Sequence, residues 1–421
     1  MATLKGANYL KNKLAIKKNR VRTRYKYYEM KQLVQDLNIS TPPDLRYWVG
    51  SLGWCSRAVD SLADRLVFRE FENDNFGMNE IFNLNNKDIL IDSAILGALI
   101  TSCDFIYITA DDKGFPIMRV IDGSHATGII DPITNMLKEG YAVLEFDDYD
   151  MPITEAYFIP GHTIIYEQGR ISQDIPNSAP YPLLVPVINR PDAKRPFGHS
   201  RISRACMSIV NSAIRTAKRS EIAAEFYSYP QKYILGMNPD SEAMDKWKAT
   251  MSSMLRVDKD EDGDRPVVGQ FQAASMSPHT EQLRMFAGMF AGETGLTLDD
   301  LGFPSQNPSS AEAIKASHES LRLTARKAQK TMSVGLINAG YLAACIRDNT
   351  PYLRSEIYNT QAKWEPIFEP DAAALSSIGD GAIKINSAVP GYFDREVMRD
   401  MTGIEGGEEA NIFDLNIEGE E

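Results

Sequence analysis

Residues 279–347 read HTEQLRMFAGMFAGETGLTLDDLGFPSQNPSSAEAIKASHESLRLTARKAQKTMSVGLINAGYLAACIR, two helical patterns separated by the Gly/Pro/Asn-broken segment Gly295 to Pro308. The second pattern has a well-marked start. Asn307-Pro308 stops whatever precedes it, and Ser309 with Glu312 forms an S-x-x-E capping box, in which the serine oxygen accepts an orphan backbone N–H and the glutamate reaches back. No proline follows until Pro351, so a helix running to Arg347 would be roughly 60 Å long at 1.5 Å per residue. A helix of that length lies along an extended interface or breaks midway, and Gly335 and Gly340 are the expected break points. A core helix of a large α+β domain accounts for the same pattern. No catalytic motif falls in the stretch.

The 421 residues are 43% hydrophobic and 9% aromatic, enough for real cores and a chain of two or three domains. Charge is segregated along the chain. The net value is −12, yet ten Lys/Arg lie between Lys5 and Lys31 against the single acid Glu29, and the other end closes on Glu418, Glu420 and Glu421. An acidic chain with a basic arm is a poor conventional nucleic-acid binder that can still touch phosphates locally, and two solvated termini explain the pattern equally well.

Cys55, Cys103, Cys206 and Cys345 are far apart, with no C-x-x-C spacing, which predicts reduced thiols and no structural zinc. The first thirty residues contain no apolar signal core. The most apolar window, Ile89 to Thr109, is interrupted by Asp92 and Asp104, so a buried helix leading into a strand is expected there rather than a membrane span. A soluble protein is expected.

Pro42-Pro43 opens a helical stretch containing Leu45, Trp48, Leu52, Ala58 and Leu62. The strand-like Leu66-Val67-Phe68 and helices over Asn79 to Leu84 and Lys87 to Ser102 come next. From Asp104 to Val187 short alternating strands are punctuated by turns such as Asp122-Gly123, Asp131-Pro132, Pro160-Gly161 and Gln168-Gly169, the mark of antiparallel sheet. An amphipathic helix then sets Ile202, Ala205, Cys206, Ile209, Ala213, Ile214 and Ala217 on one face. Arg201, Arg204, Arg215, Lys218 and Arg219 lie on the other. Tyr229-Pro230 ends it, and a compact unit follows: a strand over Lys232 to Leu235, a helix over Ser241 to Met254, and strands near Leu255 to Val257 and Val267 to Ala273, closing at Pro278. The whole reads as a small α/β insertion at the end of a helical hairpin.

Asp258, Asp260, Asp262 and Gly263 reproduce half of a calcium loop, but Gly269 stands where a bidentate glutamate is required, so an acidic hairpin tip is the better account. Gly335 to Gly340 has phosphate-loop spacing with Tyr341-Leu342 in place of Lys-Ser/Thr, which rejects it. The five histidines, His125, His162, His199, His279 and His318, are scattered and form no catalytic signature.

The order of these segments is distinctive: α then antiparallel β, then LLVPVINRP (183–191), FGHSRISRACMSIVNSAIRTAKRSEIAAEFYSYPQKYILG (197–236), the small module, the broken loop and PSSAEAIKASHESL (308–321). It resembles the tailed-bacteriophage portal proteins of the SPP1 type, over about Asp44 to Gly403. The resemblance implies an α+β portal-like fold in a ring, usually dodecameric, at one capsid vertex, through which double-stranded DNA is packaged and ejected. In that layout residues 1–43 are a basic N-terminal arm, 44–195 an α/β wing, 196–228 and 279–295 the stem helices, and 229–278 the clip. Residues 296–308 are the tunnel loop, 309–347 the long helix behind it, 348–370 a completion of the wing, and 371–421 a short acidic crown-like region that lacks long helical patterning.

The tunnel-loop residues implied are Leu296, Thr297, Leu298, Asp299, Asp300, Leu301, Gly302 and Phe303, with Asp299 and Asp300 suiting a lining that holds phosphates weakly. Arg215, Lys218 and Arg219 become DNA-facing charges or salt-bridge partners of a neighbouring subunit. Implied partners are further copies of the chain, double-stranded DNA without sequence specificity, the terminase large subunit, the head–tail adaptor, and the major capsid and scaffolding proteins. The implied location is the virion, with assembly in the host cytoplasm; no membrane, metal, cofactor or catalytic residue is implied. Two other readings compete. One is a different virion structural protein, such as a minor capsid or baseplate component; the other is a nucleic-acid enzyme whose Asp258, Asp260 and Asp262 hold Mg²⁺.

Overall fold

The computed structural model describes residues 4–35, 50–149, 151–228, 232–235, 267–270, 275–304 and 311–404. At its centre is helix α4 (Lys87–Thr101), whose KDILIDSAILGALIT sequence is apolar nearly all round and buries Leu90, Ile91, Ala94, Ile95 and Leu99. Such a helix needs partners on several sides. It stops at Ser102, held at φ 101°, and the chain turns directly into β2 (Cys103–Ala110). β2 is the middle strand of an antiparallel sheet of order β3-β2-β9, between β3 (Pro116–Ile121) and β9 (Leu184–Ile188). β9 is an edge strand, which is why Pro186 is tolerated within it.

The second sheet is a five-stranded meander: β4 (Ala126–Ile130), β5 (Leu137–Phe146), β6 (Pro152–Ile159), β7 (His162–Glu167) and β8 (Arg170–Pro176). The turns fall at Asp131-Pro132, Pro160-Gly161 and Gln168-Gly169, as the sequence pattern requires. Gln168 and Gly169 both have positive φ, the backbone of a two-residue hairpin turn whose twist matches the strands.

The N-terminal segment departs from a solvated arm. Ala7–Tyr28 forms helix α1, which lies across the meander and α4. Leu10 and Leu14 pack with Tyr141, Val143 and Tyr157 in a satellite core. The orphan N–H groups ahead of the helix are also met: those of Lys5 and Gly6 donate to the buried Glu139 carboxylate at 2.9 and 3.0 Å, and Tyr157 donates to the same group at 2.8 Å. A carboxylate at this position favours the helix N-terminus twice, through hydrogen bonds and through the macrodipole.

Helix α2 (Trp54–Ala63), strand β1 (Phe68–Glu72) and helix α3 (Met78–Leu84) precede α4. Helices α5 (Arg204–Ser228) and α6 (Ser277–Thr294) pack against each other as a hairpin, tied by Thr216 Oγ1 to Gln282 Oε1 at 3.0 Å and Ser203 Oγ to Glu293 Oε1 at 2.7 Å. Between them in sequence, β10 (Lys232–Leu235) pairs antiparallel with β11 (Val267–Gln270).

The long helix is divided at a place the glycines do not mark. Helix α7 (Ala311–Ser317) and helix α8 (Glu319–Arg347) meet at His318, whose φ −93° and ψ 6° are not helical. Gly335 and Gly340, the expected break points, stay inside α8 for a packing reason. A Cβ on Gly335 would lie 2.9 Å from the Pro186 carbonyl oxygen, and one on Gly340 would lie 2.7 Å from Met78 Sδ, so glycine lets α8 press against β9 and α3. After α8 the chain returns as β12 (Gln361–Trp364), paired with β1.

A second correction concerns the C-terminal region, where no long helical pattern is expected. It holds α9 (Ala372–Ala388) and α10 (Arg395–Thr402), started by Asp371 and Asp394, whose side chains accept from Ala374 N and Val397 N, each at 2.8 Å. The four cysteines are free and buried, and burial pushes the Cys103 thiol up to about 12. Among the described residues no helix is long and apolar enough to cross a membrane.

Candidate channel loop and stem

Helix α6 ends at Gly295, whose φ of 71° and close approach to Ser320 exclude a side chain: a Cβ would stand 2.7 Å from Ser320 Oγ. Leu296 then drops into the core, and Asp299–Leu301 makes one 3-10 turn with Leu301 buried beneath it. The turn closes on itself. Asp300 Oδ2 accepts from the N–H and the hydroxyl of Thr297, each at 2.9 Å, while Thr297 Oγ1 accepts from Asp300 N at 3.2 Å.

Two side chains from distant elements complete this anchor. His318 Nε2, at the α7/α8 junction, is 3.3 Å from Asp300 Oδ2, and Arg57 Nη2 of α2 is 4.0 Å from Asp300 Oδ1. Burial pushes the Asp300 carboxyl up, but the Thr297 hydrogen bonds and His318 outweigh it and hold it below the ordinary carboxylate range. Of the eight expected loop residues, Asp299 and Gly302 are exposed. Leu296 and Leu301 are buried, and Leu298 and Phe303 pack against the main core. The two aspartates therefore differ in kind: Asp299 faces out, whereas the Asp300 charge is taken up by the scaffold. Ser309 lies outside the described residues, and of Glu312 only its place in α7 is described.

The expected basic face of the stem also divides. Arg201 lies just ahead of α5 and turns inward, donating through Nε to the Ala58 carbonyl at 3.2 Å and through Nη2 to the Thr294 carbonyl. It ties the base of α5 to the end of α6, and burial pushes its guanidinium down to about 10. Arg204 is exposed, Arg215 reaches Ser212 Oγ at 3.0 Å, Lys218 is buried and Arg219 is half-buried. Asp258, Asp260 and Asp262 lie outside the described residues. Arg57 and His318 escape a sequence reading because each becomes meaningful only opposite Asp300, some 240 and 18 residues away.

A helical hairpin with a paired-strand unit between its helices, a folded loop at its base and a long helix beyond occur here in a chain whose sequence is similar to phage portal proteins. The chain is 24% identical over 329 residues to the portal protein of Mycobacterium phage L5, covering 73% of this chain and 67% of that one. It is 23% identical over 321 residues to the portal protein of Mycobacterium phage D29, covering 72% and 66%. The matches thus span about two thirds of these relatives' length. No family model matches. Among solved structures, a chain from the virion of a native gene transfer agent particle aligns with TM-score 0.45 at 12% identity, over 84% of this chain and 90% of that one. A chain from the neck of the empty particle aligns with TM-score 0.45 at 13% identity, over 88% and 96%.

Proposed function

We propose that this chain is the portal subunit of a tailed phage, a non-enzymatic ring component through which double-stranded DNA enters and leaves the capsid. The observation that carries the reading is the similarity to two phage portal proteins over more than 320 residues, nearly three quarters of this chain. In this reading α5 and α6 are the stem, and the β10–β11 unit belongs to the clip that docks the terminase motor and then the head–tail adaptor. The segment after Gly295 lines the channel, with Asp299 and Gly302 as its exposed described residues. The chemistry of transport belongs to the docked motor. A conduit must hold phosphates weakly, and an exposed Asp299 beside an Asp300 engaged by Thr297 suits that need.

Ring closure requires a heterologous interface, one face of each subunit against a different face of the next. The purified full-length chain, examined by negative-stain microscopy and mass photometry, should form closed rings of about twelve copies. A strict monomer at every concentration, with and without scaffolding protein, overturns the reading. In assembled rings, Asp299→Arg should leave the ring intact and lower the fraction of DNA-filled heads. Unchanged filling would remove the loop from the channel.

A further inference from the structure

Six cations gather where α1 passes the loop between β9 and α5: Lys13, Lys17, Arg20 and Arg24 on one helix face, and Lys194 and Arg195 opposite. The spacing i, i+4, i+7, i+11 makes the helical four a single stripe of roughly 16 Å. The loop is seated on the stripe through Phe197, whose ring lies 5.0 Å from Lys13 Nζ and 5.6 Å from Lys17 Nζ. None of the six forms an ion pair among the described residues. Lys13 and Arg24 are instead spent on the Gly128 and Thr101 carbonyls, and the buried Lys17 Nζ has no hydrogen-bond partner.

The charges also oppose one another. Arg24 is pushed down to about 10, first by burial and then by Arg20 and Arg195, and Lys13 is lowered by burial and then by Lys17. Glu139 acts back on Lys13, and Asp104 and Asp122 on Lys17, but burial outweighs them in both cases. Asp192 is engaged by His199 at 2.6 Å, and burial pushes the Asp104 carboxyl, near Lys17, well above the ordinary carboxylate range. In a chain with 57 acidic residues and a net charge of −12, these six cations remain without an ion pair among the described residues.

We propose that this patch binds the phosphate backbone of double-stranded DNA, at a site separate from the channel loop. Arg20, Lys194 and Arg195, which are exposed, make the contacts; Lys13, Lys17 and Arg24, fixed beneath, supply the positive potential. The proposal rests on the portal reading, since it takes the duplex as the polyanion the protein works beside. Contacts of this kind position a duplex without reading its sequence.

The test is fluorescence anisotropy of a labelled duplex of about 30 base pairs with the full-length chain, across about 50 to 300 mM salt. The double variant Arg20→Gln/Arg195→Gln should weaken binding about tenfold at low salt and make the slope of log K against log salt shallower by about 2. Lys113→Gln/Arg170→Gln, an equal charge change at exposed positions elsewhere, should change neither. Equal slopes for the two variants overturn the proposal. So does loss, in the first variant, of binding to a synthetic peptide of residues 405–421 with duplex binding intact, which assigns the patch to an acidic protein segment. Ring formation, followed by microscopy on the same samples, separates the two readings. Rings whose duplex binding ignores the patch sink this proposal alone, and patch-dependent binding without rings sinks only the portal assignment.

Discussion

Helix α1 carries eight cations in 22 residues and is nonetheless held down along Leu10, Leu14 and Val21. Helix α9 has one aspartate and one lysine in 17 residues, is otherwise apolar or small, and buries only Ala382; Ile383 is 68% exposed. The difference lies in what faces each helix. α1 meets the satellite core and a set of acceptors: Glu139 for its leading N–H groups, Glu155 for Lys11 at 2.6 Å, and the Gly128 carbonyl for Lys13 at 2.6 Å. α9 meets no such surface among the described residues of its own subunit. Burial therefore follows the complementary surface rather than the helix's own hydropathy, and an apolar helix left outside one subunit is the expected state of an element that packs only in an assembly.

The largest effect should come from undoing the α1 side of this contrast. Leu10 is fully buried, and Leu10→Ala should destabilise the subunit by about 2–5 kcal/mol in urea denaturation. A loss below about 1 kcal/mol would mean that α1 is not docked in solution.

Acid should act more locally, on α10, which reaches the β1–β12 sheet through charge. Asp400 pairs with Arg69 at 2.5 Å and Lys363 at 2.7 Å, and Arg399 pairs with Glu70 at 3.1 Å. Burial raises the Asp400 carboxyl, but Lys363 and Arg69 more than offset it, leaving it below its ordinary value. Its contribution is thus complete above the unfolded carboxylate value of about 3.9 and is lost as pH falls through the lower folded value. Glu396 works in the opposite sense: its contact with Glu72 raises its pKa, so its contribution is present in acid and fades as pH rises. If the Asp400 pairs dominate, hydrogen exchange should show α10 losing protection below about pH 4 while α1 keeps its own. Equal behaviour of the two helices would erase the distinction.

The smallest effect on the subunit is expected at α9. Ile383→Ser should change subunit stability by no more than about 0.5 kcal/mol, while reducing ring yield by mass photometry. A destabilisation above about 1 kcal/mol would place Ile383 in a subunit core after all.

Much of the architecture ahead of α5 was legible. Apolar runs bounded by Asn, Asp, Gly and Pro give α3 and α4 to within a residue and mark the turns of the meander, because those turns need specific backbone conformations that few residues adopt. The hairpin of α5 and α6 was legible from periodicity, although Arg201 turned inward and Val210 rather than Ala205 is buried. The helix break at His318 was not, since no Gly or Pro marks it, and the imidazole's neighbour Asp300 comes from the preceding loop. The cues for α9 and α10 were local, in the caps Asp371 and Asp394, but acidic composition masked them.

The amino-acid sequence by itself determined the order of elements, the places where turns interrupt strands, and the hairpin–loop–helix succession that resembles a portal protein, because propensity and periodicity act over a few residues. Only the tertiary structure decided which charges are spent and which are left over. Asp300 is anchored by Arg57 and His318, Arg201 is drawn between α2 and the end of α6, and α1 is docked with Arg24 set against Arg20 and Arg195. Electrostatic and packing energies depend on distance in space, and residues far apart along the chain set those distances.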